Sequence, residues 1–191
     1  MKKLLSIALS SALLGVAAFA QSPTPAPAPA PAAEKPIIAP AAAAATPAPK
    51  PKASPFPREK FDPKRDPKMD LDKAMVKAAK SGKRIILDIG GEWCGWCVYM
   101  DRFFYQNADI AKLRDKNFVW VKVNFSDENE NPAFLSAFPV REGYPHLYVL
   151  DETGKLIHSQ DTAPLEKGKG YDHVKFTEFL NLWSPPKGTS H

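Results

Sequence analysis

Cysteine is scarce in this 191-residue chain: there are two, Cys94 and Cys97, both inside "GEWCGWCVYM". That excludes the multi-bridge framework that staples small secreted domains. A bridge spanning two intervening residues closes too short a loop to add much stability, so the spacing points to chemistry. Histidine is sparse too: none of His146, His158, His173 and His191 forms the second paired motif a four-ligand zinc site needs. Position 98 is Val98, where covalent haem attachment requires histidine. No strong charge of either sign is present. The net charge is +5, and Lys2 and Lys3 supply two units of it, leaving a mild basicity that argues for no particular partner and not for nucleic acid. The chain has no internal repeats.

The amino terminus, "MKKLLSIALSSALLGVAAFAQS", reads as a signal peptide over residues 1–20: a basic start, an apolar stretch and a small-x-small end at Ala18-Phe19-Ala20. Cleavage there leaves Gln21 first, and the expected destination is the periplasm or the exterior. No cysteine lies near that site, which excludes a lipidated amino-terminal cysteine. Residues 21–57 read as a disordered Pro/Ala-rich linker, and its stretch from Ser22 to Pro57 holds 12 of the 20 prolines. Such a segment buries no core and acts as a semi-rigid spacer of about 3.1 Å per residue. The run "PREKFDPKRDPK" mixes charges of both signs and reads as a solvated lead-in, with order beginning near Met69.

The domain, placed at 58–191, alternates element types. Leu71, Met75, Val76 and Ala79 mark the inner face of a helix stopped by Gly82, and "RIILDIGG" reads as a buried strand. A helix follows in "CVYMDRFFYQ", with Val98, Met100, Phe103 and Phe104 inward, and "ADIAKLRDK" continues it or forms a second one. "NFVWVKVNF" is a strand, "NPAFLSAF" a short helix, "PHLYVLDETGKLIHS" a hairpin turning at Glu152-Thr153-Gly154, and "DHVKFTEFLNLW" a closing amphipathic helix. The pattern predicts a three-layer α/β/α domain with a central mixed sheet. Phe103, Phe104, Phe134, Phe138, Phe176 and Phe179 are core candidates, and His146 is a strand residue.

The cysteine pair falls where a strand ends and a helix begins, where unpaired N–H groups and the helix dipole favour a negative charge. A thiolate at Cys94 gains from that position, which makes Cys94 the attacking sulfur and Cys97, one turn into the helix, the resolving one. Two alternatives stay open at this level: a structural bridge in a redox-inactive binding module, and a zinc site. Trp93 offers an apolar rim to an extended partner.

With "ILDIGGEWCGWC" the chain resembles the thioredoxin superfamily over about Asp70 to Trp183. The family hallmark is Trp-Cys-Gly-Pro-Cys, and Trp96 here replaces the proline. The resemblance implies a thioredoxin-like fold, a buried aspartate at Asp88, its lysine neighbour at Lys122 and a cis-proline at Pro145. It also implies a redox-active disulfide between Cys94 and Cys97, and substrate contacts from Trp93, Trp96, Tyr144 and Pro145. Burial of Asp88 is expected to disfavour its charge and fit it to accept a proton from Cys97. The implied protein is an exported thiol-disulfide oxidoreductase that uses neither bound cofactor nor metal. It is a monomeric reductase of exported proteins that a membrane electron donor recharges. The alternatives are an oxidant or isomerase, or a redox-inactive binding module.

Overall fold

The computed structural model describes residues 56–186. The signal peptide expected at 1–20, residues 21–55 of the expected linker and residues 187–191 lie outside them. Helix α1, Pro67–Ser81, starts where Asp66 accepts the N–H groups of Lys68 and Met69, and it ends at Gly82 in the left-handed region (φ 61°). Strand β1, Arg84–Gly90, leads into helix α2, Gly95–Gln106, and helix α3, Ala108–Asn117, is separate from it. Strand β2, Phe118–Asn124, and the one-turn helix α4, Pro132–Leu135, follow. Strands β3, His146–Leu150, and β4, Leu156–Asp161, form the hairpin; Asp151 Oδ1 holds its turn through the N–H groups of Thr153 and Lys155. A small ribbon of β5, Glu166–Lys167, and β6, Gly170–Tyr171, precedes helix α5, His173–Leu182.

The sheet order is β2-β1-β3-β4, with β1 parallel to β2 and antiparallel to β3. Strand alternation sends Ile86, Leu147 and Val149 to one face, where Met100, Phe103, Phe104, Phe176 and Phe179 meet them. Ile85, Leu87, Ile89, Val121 and Tyr148 go to the other, against Ala74 and Ala78 of α1. This is the mixed, helix-covered sheet that the alternation of elements predicts.

Three expectations are corrected. The inner face of α1 is Leu71, Ala74, Met75 and Ala78, and Val76 and Ala79 face solvent, because two alanines let the helix lie closer to the sheet than larger residues would. Val98 is half-buried, and Cys97 takes its place on the inward face of α2. The lead-in is solvated only in part: Glu59, Lys60, Asp62, Lys64 and Asp66 are exposed, while Phe61 is buried. Order is present from Phe56, and Phe56 and Phe61 are buried, with Phe56 stacked on Tyr105 at 5.4 Å. The ribbon β5–β6 escaped the sequence reading because each of its strands has two residues, below the length at which alternation registers.

His146 is buried at the head of β3, its Nε2 2.8 Å from Ser159 Oγ and its Nδ1 without a hydrogen-bond partner among the described residues. Burial lowers its pKa to about 4, against the opposing pull of Asp161. The unfolded chain therefore takes up this proton near pH 6.5 while the fold refuses it, so the contribution to stability is lost as pH falls from about 6.5 toward 4. Thermal midpoints measured across that window should fall for the natural chain and fall less steeply for His146→Gln.

Candidate active site

Cys94 and Cys97 are joined in a disulfide with Cα atoms 5.3 Å apart. Cys94 is the N-cap of α2, extended at φ −84°, and its Sγ accepts the Cys97 N–H at 3.1 Å. Both are buried, Cys97 more completely, within a cluster completed by Phe61, Trp96 and Tyr144. The end of β1 passes directly beneath: a Cβ at Gly90 would stand 2.4 Å from Cys97 Sγ and 3.0 Å from the Phe61 ring, so only glycine fits.

Two residues before Gly90, and on the same face of β1, sits Asp88, 1% exposed. Its register partner on β2 is Lys122, whose Nζ donates to Asp88 Oδ2 at 2.9 Å. The Trp120 indole donates to the same oxygen at 3.1 Å. Among the described residues Asp88 Oδ1 has no donor, so an acceptor remains free in the interior. Asp88 thus has the lysine neighbour that the resemblance implies, and that cation and an indole N–H hold one of its oxygens.

The Lys122 ammonium is shared with Asp101 of α2, whose Oδ1 lies 2.8 Å away. Burial alone would push the lysine down, but Asp88 and Asp101 outweigh it and hold it above its ordinary value. Burial raises the Asp101 carboxyl above the usual carboxylate range, against the pull of Lys122. The Asp101 Oδ2 meets Arg58 of the lead-in at 3.1 Å, and the same guanidinium reaches Glu92 at 2.5 Å. Sequence reasoning missed Arg58, Phe61, Glu92 and Asp101. Asp101 did carry a signal, since it stands four residues after Cys97 and so on the same helix face.

Around the disulfide, Trp93 is 45% exposed, and its indole N–H donates to the Phe125 carbonyl at 2.7 Å. Its ring meets Tyr144 edge-on, and Tyr144 stacks on Phe125. Trp96 turns toward the core, packed edge-on against Tyr99 and Tyr171. The Tyr144-Pro145 bond is cis, as the resemblance implies, and the Pro145 carbonyl accepts from Thr162 Oγ1 at 2.9 Å. The structure thus brings together Cys94, Cys97, Asp88, Lys122, Trp93, Trp96 and Tyr144, with buried Pro145 following Tyr144 in the chain. Among the described residues no group of three or more His, Cys, Asp or Glu side chains is placed to hold a metal ion. What the arrangement offers is a sulfur pair at a helix N-terminus above buried groups able to take or hold a proton.

Residues 66–152 match the family described as Thioredoxin-like. A stretch of 108 residues, 55% of this chain, is 25% identical to the thiol:disulfide interchange protein DsbD of Colwellia psychrerythraea and spans 17% of it. Another of 59 residues, 31% of this chain, is 41% identical to spermatogenesis-associated protein 20 of Homo sapiens and spans 7% of that relative. The match thus takes up less than a fifth of either curated relative. Among solved structures, a disulphide isomerase from Xylella fastidiosa Temecula1 superposes with a TM-score of 0.56 at 22% identity, over 64% of this chain and 94% of that one. Sheet order, cis-proline and disulfide agree with that match: the described residues have a thioredoxin-like fold, and 66–152 are similar to the Thioredoxin-like family.

Proposed function

We propose that the protein is an exported thiol-disulfide oxidoreductase that reduces disulfides in other exported proteins, works as a monomer and is recharged by a membrane electron donor. The observation that carries the reading is the Cys94–Cys97 disulfide at the start of α2, with buried Asp88 two residues before the Gly90 that Cys97 packs on. The match to a thiol:disulfide interchange protein supports exchange chemistry, and the signal-like amino terminus supports export.

In the working direction the reduced Cys94 thiolate attacks one sulfur of the substrate disulfide. That S–S bond breaks, one substrate thiolate leaves, and a mixed disulfide forms. Cys97 then gives its proton to the carboxylate beneath it and attacks Cys94 Sγ. The Cys94–Cys97 bond forms, the second substrate thiolate leaves, and two electrons have passed from protein to substrate. Trp93 and Tyr144 supply the apolar edge against which an extended substrate lies, with Trp96 and Pro145 beside them.

Two features favour reduction over oxidation. Cys94 Sγ accepts one backbone N–H, and the ionisable groups grouped below it are three carboxylates, Asp88, Asp101 and Glu92, against two cations, Lys122 and Arg58. An excess of negative charge disfavours thiolates, and a dithiol without strong thiolate stabilisation gives up its electrons readily.

With dithiothreitol as reductant, the protein should accelerate insulin reduction, and Cys94→Ser should abolish that activity. Cys97→Ser should accumulate mixed disulfides that non-reducing gels resolve; trapping by Cys94→Ser instead would reverse the assignment of roles. Asp88→Asn should slow the resolving step by about 10²-fold and flatten its pH dependence, measured by stopped flow.

A further inference from the structure

The segment ahead of α1 is fastened to the redox site at several points. Phe56 stacks on Tyr105 of α2. Arg58, whose side chain is only 6% exposed, bridges Glu92 and Asp101. The Phe61 N–H donates to Glu92 Oε1 at 3.1 Å, and Asn129 Nδ2 donates to the Pro63 carbonyl at 2.9 Å. The Phe61 ring packs with both cysteines, and the Lys122 ammonium lies 4.2 Å from its centroid. This ring therefore touches both the disulfide and the ionic cluster, and Arg58 is one of the two cations in that cluster.

We propose that this lead-in is a working part of the redox site, with Arg58 as a positioning residue that sets the pH at which Cys97 is deprotonated. The inference rests on the thiol-exchange reading above. Groups facing the carboxylates come from every packed element: Asp88 from β1, Lys122 from β2, Asp101 from α2, Glu92 from the turn before α2, Arg58 from the lead-in and the Tyr171 hydroxyl from β6. Lys122 alone has to serve both Asp88 and Asp101, so the charge on Asp101 depends on the second cation. Without Arg58, Lys122 is drawn toward Asp101 and holds Asp88 less firmly, and the charge beneath Cys97 is one unit more negative, which disfavours its thiolate. Phe61 keeps the cluster dry, so these couplings act at low dielectric and carry more weight than they would in water. Glu92 competes with Asp101 for the same guanidinium, so its removal has the opposite sign.

The test mixes the reduced full-length protein with an aromatic disulfide, dithiobis(nitrobenzoate), in a stopped-flow instrument. Attack by Cys94 releases one thionitrobenzoate, and resolution by Cys97 releases the second, so the two steps appear as separate absorbance phases. The second phase is recorded between about pH 5 and 9, the range across which a tuned base titrates. For Arg58→Gln the midpoint of that phase should rise by about one pH unit, the scale expected when an opposite charge within a few ångströms is removed. Below the midpoint this slows resolution by about tenfold. Arg58→Lys should restore the midpoint, and Glu92→Gln, a change at a half-exposed side chain, should move it down. Unchanged midpoints in Arg58→Gln and Glu92→Gln, or shifts in the same direction, would overturn the proposal; lowered thermal stability alone would leave Arg58 a structural clamp. Should Arg58→Gln not fold, the Glu92→Gln shift decides. Failure of the parent reading looks different, since the natural chain would then release no second thionitrobenzoate.

Discussion

A single ammonium group holds the interior of this protein together beneath its disulfide. Lys122 Nζ, nearly without solvent, donates to Asp88 at 2.9 Å and lies 2.8 Å from Asp101. Placing such charges in the interior costs several kcal/mol per ion, and removing one partner of a buried pair typically costs about 3–5 kcal/mol. Apolar residues of similar size would fill the same space at less cost. The arrangement makes sense if the cluster works on the sulfurs above it, and its position supports that. Each carboxylate comes from an element that also carries or touches a cysteine: Asp88 from the strand that ends under Cys97, and Asp101 from the helix that Cys94 caps.

The fold delivers these groups by simple periodicities. Alternation along β1 points Ile86, Asp88 and Gly90 at α2, the first as core, the second as charge, the third as the gap into which Cys97 fits. Alternation along β2 sets Trp120 and Lys122 beside them, and the helical repeat puts Asp101 below Cys97. On the opposite side, the hairpin that begins after Pro145 places Tyr144 against Phe61 and the cysteines. Trp93, tied to the Phe125 carbonyl, and Tyr144, stacked on the Phe125 ring, form an apolar edge that remains partly open beside the pair. The site is thus closed on its core side by the ionic cluster and Phe61, and approachable along the Trp93–Tyr144 edge.

What could be read from the sequence followed from local rules. The strands, the hairpin turn and the start of α2 at Cys94 each rest on spacing or on residues close in the chain, whereas the partnership of Asp88 with Lys122 came only from the family resemblance. The burial within the lead-in was missed because composition describes a segment in isolation. Arg58 and Phe61 look solvated among their charged neighbours, and their burial depends on Glu92, Asp101 and the cysteines, more than thirty residues away. The face of α1 was misjudged for a related reason: Val76 is more apolar than Ala74, but close packing on a sheet rewards the smaller residue. Trp96 packs against the cysteine cluster and also meets Tyr171, which sits on the short ribbon that the sequence did not reveal.

The central claim is that an excess of negative charge under a weakly stabilised sulfur pair makes this a reductant. The reduction potential of the Cys94–Cys97 couple in the full-length protein, from equilibration with dithiothreitol and glutathione ratios, tests it most directly. The account predicts a value near that of thioredoxin, about −270 mV. A value near about −120 mV, that of a strong disulfide donor, would contradict it and make the protein an oxidant.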